Sequence, residues 1–140
     1  MARREHSEQE LTRKLTTRGF KTEDVARVVA ELKQDGSLSD QRFTDAFIHN
    51  RIQRGYGPQR IRQELLERGI GEENIHTALD EGNHDWMARI IEVHTRKFGI
   101  PLPTDYRERA RQSRFLQYRG FTGDQIRRLF DGKWEMGNGK

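Results

Sequence analysis

Leu15-Thr16-Thr17-Arg18-Gly19-Phe20, Leu65-Leu66-Glu67-Arg68-Gly69-Ile70 and Leu116-Gln117-Tyr118-Arg119-Gly120-Phe121 are three copies of one pattern. In each, a leucine-bearing helical turn runs into Arg-Gly and a large apolar residue. A short amphipathic segment follows, reaching Val25, Ile75 and Ile126. The glycines lie 50 and 51 residues apart. A period in this range signals an array of similar supersecondary units. Each unit is too small to hide its apolar face alone, so neighbours must stack. Such an elongated array offers surface rather than a deep pocket, which favours binding over catalysis.

Working outward from the copies, helix ends and starts are marked by simple chemistry. Gly19, Gly36, Gly55, Gly69, Gly82, Gly99, Gly120 and Gly132 each follow a helical pattern and fit the left-handed position past a helix end. Ser7-Glu8-Gln9-Glu10 reads as a capping box. Thr22-Glu23-Asp24 and Ser39-Asp40 read as caps followed by acids on the favourable side of the helix dipole. Gly57-Pro58 puts proline at a first helical position, where its missing N–H is not needed. These signals predict helices over 8–18, 23–35, 40–54, 58–68, 72–81, 85–98, 105–119 and 123–131. No segment alternates with period two over a useful length. The fold class is therefore all-α, a tandem array of three-helix repeats.

A full repeat is a long helix, a short one ending at Arg-Gly, and a second short one. The expected repeats are residues 1–38, 39–84 and 85–132, with 133–140 a frayed, disordered tail. The first is truncated, since only Met1–His6 stand where its long helix would be. Phe98-Gly99-Ile100-Pro101-Leu102-Pro103-Thr104 is the main linker, because neither proline can sit inside a helix.

Composition agrees with narrow apolar stripes in a charged shell: 32% of residues are hydrophobic and 34% charged. The formal net charge of +4 divides unevenly, as +1, −2 and +5 over residues 1–38, 39–84 and 85–140. Arginine supplies 20 of the 26 cations, the better choice for bidentate contact with carboxylate or phosphate. There is no cysteine, hence no disulfide and no thiolate metal site. No apolar run suits a bilayer span or a signal peptide, so a cytoplasmic protein is expected.

Enzyme chemistry finds little purchase. Gly55-Tyr56-Gly57 and Gly69-Ile70-Gly71 lack the strand and the Lys-Ser/Thr of phosphate loops and read as turns. His76, Asp80 and His84 share metal-ligand spacing, but Gly82-Asn83 should end the helix before His84. The few serines sit at caps, and His6, His49 and His94 fall in charged helical surroundings. No catalytic residue, cofactor or metal is expected.

The strongest functional signal is Tyr106-Arg107-Glu108-Arg109-Ala110-Arg111-Gln112-Ser113-Arg114, followed by Arg119, Arg127 and Arg128. Arg107, Arg111 and Arg114 lie near one helix face, a contact suited to phosphate or to an acidic protein groove. The bland alternative is a solvated helix face near a basic terminus.

Arg54-Gly55-Tyr56-Gly57-Pro58-Gln59-Arg60-Ile61-Arg62-Gln63-Glu64-Leu65 goes further: it resembles the signature of RecX-family proteins, bacterial modulators of the RecA recombinase. Arg4-Glu5-His6-Ser7-Glu8-Gln9-Glu10-Leu11 with Lys14-Leu15 is similar to that family's N-terminal motif. Leu38-Ser39-Asp40-Gln41-Arg42-Phe43, leading to Phe47 and Arg51, resembles its middle helix. Arg96-Lys97-Phe98-Gly99 and Phe115–Phe121 resemble its third repeat. The resemblance runs from about residue 4 to residue 130. It departs at the start, where the family usually has most of another helix.

The resemblance implies a curved, extended all-α protein of DNA repair, homologous recombination and the SOS response. Proteins of this kind lie in the groove of the RecA–DNA filament, touching more than one protomer, and suppress its ATPase, strand-exchange and coprotease activities or destabilise the filament. On that reading the chain is a monomeric, non-enzymatic regulator with no membrane contact. Its partner-binding residues would be Arg107, Arg111, Arg114, Arg119, Arg127 and Arg128, then Arg51, Arg54 and Arg60. Whether those arginines meet RecA or DNA phosphate stays open. So does a rival reading, an autonomous nucleic-acid-binding protein of small helical modules.

Overall fold

The computed structural model describes residues 4–132; the expected tail at 133–140 lies outside the described residues. Eight α-helices are present among them: α1 Glu8–Thr17, α2 Thr22–Gln34, α3 Asp40–Gln53, α4 Pro58–Glu67, α5 Glu72–Ile75, α6 Trp86–Phe98, α7 Tyr106–Arg119 and α8 Gly123–Asp131. No strand occurs among the described residues. The all-α repeat fold read from the sequence is the one observed.

Local chemistry explains the boundaries. Ser7 and Glu10 form the expected capping box, and Thr122 with Gln125 forms another at the same spacing. Thr22 is not a cap; Lys21 holds that position without a side-chain bond, and Thr22 is the first helical residue. Seven of the eight marker glycines have positive φ; Gly82 is the exception. The segment after α5 widens into a π-helical turn, His76–Asp80, instead of continuing as α-helix.

The chain forms two compact units. Among the described residues, one comprises 4–49 and 63–82, the other 50–62 and 83–132. Two of the three divisions fall inside helices, α3 and α4, and the third lies in the turn before α6.

In the first unit Val25, Val29 and Leu38 are buried, with Leu11, Leu15 and Leu32 packed against them. The N-terminus of α1 docks on the C-terminal end of α4. Ser7 Oγ donates to the Arg68 carbonyl at 2.9 Å, and Gln9 Nε2 to the Glu67 carbonyl at 3.4 Å. The Arg68 guanidinium stacks 4.8 Å from the Phe47 ring, with Glu10 3.7 Å from its Nε. Asp40 accepts the Glu8 N–H at 2.8 Å, and burial pushes its carboxyl above the usual range.

In the second unit α6, α7 and α8 enclose Ile90, Leu116, Phe121, Ile126, Leu129 and Phe130. The N-terminus of α4 docks on the C-terminal end of α7. Gly57 N–H donates to the Arg119 carbonyl at 2.7 Å and Gln59 N–H to the Gly120 carbonyl at 2.9 Å. Orphan amides of one helix thus satisfy orphan carbonyls of another, with opposite dipole ends together.

The repeats differ in one telling position. Phe121 is 1% exposed and Ile70 2%, whereas Phe20 is 56% exposed. Phe121 packs in the cluster that Ile90 of the long helix α6 helps to build. Among the described residues α1 and α2 have no long helix of their own before them.

Candidate functional site

The second unit gathers residues that lie far apart in the chain. Docking α4 onto the end of α7 brings Tyr56, in the turn before α4, beside arginines from three segments. The guanidinium carbons of Arg60, Arg119 and Arg51 lie 4.4, 5.1 and 5.9 Å from its ring centroid. Arg60 also lies 5.2 Å from the Tyr118 ring and donates to the Tyr118 carbonyl at 3.3 Å. Arg119 donates to the Arg54 carbonyl at 3.0 Å and lies 5.2 Å from the Phe115 ring. Arg51 donates to the Asn50 side chain at 3.2 Å. Each cation–π contact at such a surface contributes about 0.5–1 kcal/mol. Cations around one phenol repel each other, so an anion placed among them would be stabilised.

A second element runs into this cluster along α7. Arg107, Arg111, Arg114 and Tyr118 are spaced i, i+4, i+7 and i+11, which puts them on one face. Tyr118 is 74% exposed. Arg107 and Arg114 are exposed and have no ion-pair or hydrogen-bond partner among the described residues. Arg111 is different: its Nε donates to Glu108 at 3.0 Å, its NH2 to the other carboxylate oxygen, and its guanidinium lies over Phe98.

Those bonds govern Glu108. Hydrogen bonds from Arg111 first, then from Gln112, pull its carboxyl down to about 2. The contribution of this pairing to stability is therefore present above the unfolded glutamate pKa of about 4.3 and lost as pH falls toward 2. A carboxyl-carbon NMR titration should place the Glu108 midpoint near pH 2. In Arg111→Ala the midpoint should rise toward the unperturbed value; an unmoved midpoint would show that Arg111 is not its partner.

Gln112 links the pair to the interior. It donates to Glu108 at 3.0 Å and its Oε1 accepts from His94 Nε2 at 2.6 Å. His94 is 2% exposed and packed against the rings of Phe98 and Phe130. It does not lie in the charged surroundings its neighbours in sequence imply; α7 and α8 cover it.

The predicted residues thus divide. Arg51, Arg54, Arg60 and Arg119 come together around the Tyr56 turn, although the sequence spreads them over two repeats. Arg107, Arg111 and Arg114 form the α7 stripe. Arg127, paired with Asp124 at 2.9 Å, and Arg128, exposed and unpaired among the described residues, stand on α8 apart from the cluster's contacts. Tyr118 was missed, although one more turn of the same spacing finds it. Tyr56 was read chiefly as a turn residue. His76 bonds Asp80 at 3.2 Å and Glu81 at 3.1 Å, and no group of three or more His, Cys, Asp or Glu among the described residues is placed to hold a metal ion. No described helix is long and apolar enough to cross a membrane.

The arrangement is an aromatic–arginine surface, suited to phosphates, bases or acidic side chains. Comparison with known proteins gives the chain a lineage. Residues 1–32, 39–79 and 85–130 match the first, second and third three-helix domains of RecX. "Regulatory protein RecX" of Pseudomonas savastanoi pv. phaseolicola is 47% identical over 133 residues, which cover 95% of this chain and 86% of that protein. That of Ectopseudomonas mendocina is 46% identical over 132 residues, covering 94% and 88%. A crystal structure of regulatory protein RecX superposes with a TM-score of 0.72 at 21% identity, over 91% of this chain and 64% of that one. This chain thus spans just under two thirds of that solved protein. With three successive domain matches and near-half identity over almost its whole length, the chain belongs to the RecX family.

Proposed function

We propose that this chain is a non-enzymatic regulatory protein that binds the RecA–DNA filament along its helical groove and inhibits RecA's ATPase, strand-exchange and coprotease activities. Membership of the family supports the regulatory role, since the relatives carry that description. The observation that carries the interface is the arginine–tyrosine face of the second unit. Its working residues are Arg107, Arg111, Arg114 and Arg119 with Arg51, Arg54 and Arg60; Arg127 and Arg128 on α8 would add a separate contact. The repeats, taken as residues 1–38, 39–84 and 85–132, give several contact points, and linked contacts reinforce each other through effective concentration.

The test is RecA ATP hydrolysis on single-stranded DNA with increasing protein. Strong inhibition is expected at or below stoichiometric protein; hydrolysis that continues unchanged would reject the proposal. One observation favours a second reading, direct nucleic-acid binding: exposed Tyr118 beside Arg60 resembles a base-stacking platform. Tight, steeply salt-dependent DNA binding by the protein alone, without effect on RecA, would favour it.

A further inference from the structure

We infer that Gln112 and His94 are positioning residues that fix Arg111 as an oriented donor on the α7 face, a role that Arg107 and Arg114 do not share. The inference rests on the reading of that face as the partner interface.

Five side chains from α6 and α7 form a closed circuit. His94 and Phe98 stand one turn apart on α6, their ring centroids 5.3 Å from each other. The Arg111 guanidinium lies 5.3 Å from the Phe98 centroid. Arg111 bonds Glu108, Glu108 accepts from Gln112 at 3.0 Å, and Gln112 meets His94 at 2.6 Å. The circuit thus joins a buried imidazole to an exposed guanidinium. Helical spacing permits it: residues 94 and 98 lie i, i+4 apart, and 111 and 112 lie three and four beyond 108.

One group sets the direction of the bonds. The Glu108 carboxylate only accepts, so the Gln112 amide turns its NH2 toward it. The Gln112 carbonyl oxygen then faces His94, and His94 Nε2 must carry a proton. A flipped amide would set NH2 against an N–H and oxygen against a carboxylate. Gln112, 5% exposed, therefore has a single orientation, and Glu108 inherits it.

Arg111 is the outer end of this chain of bonds. Glu108 takes its Nε and Nη2, and Phe98 takes one face of the guanidinium. Arg111 is exposed, and its Nη1 makes no hydrogen bond among the described residues. Glu108 also offsets the repulsion from Arg107 and Arg114, four and three residues away on the same face. A free surface arginine loses side-chain freedom when it binds; Arg111 has lost it beforehand. Lysine cannot copy this, because a compact ammonium does not span both carboxylate oxygens while offering a planar edge outward.

Two measurements test the inference. In proton–nitrogen NMR at neutral pH, Arg111 Nε–H should give a resolved, slowly exchanging signal, assigned by its loss in Arg111→Lys. Gln112→Leu should broaden or remove that signal, although Arg111 itself is untouched. Gln112→Glu keeps the His94 bond but sets a second carboxylate against Glu108, and serves where Gln112→Leu unfolds. His94→Phe, which keeps a ring beside Phe98, should weaken the same signal. In the RecA assay, Arg111→Lys should raise the inhibiting concentration about tenfold, the scale of one charge-assisted hydrogen bond. Arg114→Lys, which keeps a charge at an unpaired position, should raise it by at most about threefold. A signal that survives both Gln112 variants, or equal losses in the two lysine variants, would overturn the inference. If the wild type leaves RecA unaffected, the functional reading falls instead, and the NMR signal still decides whether Gln112 and His94 hold Arg111.

Discussion

Gly120→Ala should lower the stability of the chain by roughly 2–5 kcal/mol, well beyond what one methyl group ordinarily does. Two effects add. Gly120 has φ +104°, where an L side chain is strained. The new Cβ would also lie 2.4 Å from Arg60 Cβ and 2.7 Å from Arg60 N, both rooted in the backbone of α4. Gly57→Ala meets the same joint from the other side, with Gly120 C and Phe121 N at 2.5 Å. Gly19→Ala supplies the control. Its φ of +95° carries comparable strain, but its Cβ meets nothing, so its loss should be only about 1–2 kcal/mol. Denaturant unfolding of the three variants compares them directly. Equal losses at Gly19 and Gly120 would show that the α4–α7 joint is not tightly packed.

The second large effect is functional. Arg107→Ala with Arg114→Ala should raise the concentration needed to inhibit RecA roughly tenfold to a hundredfold, the scale of two lost charge-assisted bonds at a wet surface. Both side chains are exposed and without partners among the described residues, so stability should move by less than about 0.5 kcal/mol. Arg119→Ala is a poorer probe. Arg119 caps the Arg54 carbonyl and packs on Tyr56 and Phe115, so its loss mixes folding with binding. Salt dependence tells what the pair touches. If it meets phosphates, the log–log salt slope should fall by about 1.4–1.8; an unchanged slope would point to protein carboxylates. Unaltered inhibition would remove this face from the interface.

Helix positions were legible because caps and glycines act locally: the Ser7 box, Pro58 and the three Arg-Gly ends need only near neighbours. The misreadings have local causes too. Lys21 can hold an N-cap position without any side-chain bond, so the more familiar Thr22 was credited in its place. The π-turn at His76–Asp80 leaves no mark in apolar spacing. The site was legible only in halves. The spacing of Arg107, Arg111 and Arg114 is a helix property and could be read. The gathering of Arg60 and Arg119 around Tyr56 depends on where the end of α7 meets the start of α4, which no short window contains. His94 was misplaced for the same reason: its covering residues, Gln112 and Phe130, come from later helices.

Helix α4 carries both complementary parts of the helix-end docking, a small residue ahead of its first turn and Arg-Gly after its last. The bonds at its start run between main-chain groups and ask little of side-chain identity, whereas those at its end need the Ser7 and Gln9 side chains. A unit copied by gene duplication would arrive with its own couplings in place, and its remaining surface would be free to diverge. That economy offers a physical route by which a lineage could lengthen or shorten such a chain without redesigning its neighbours.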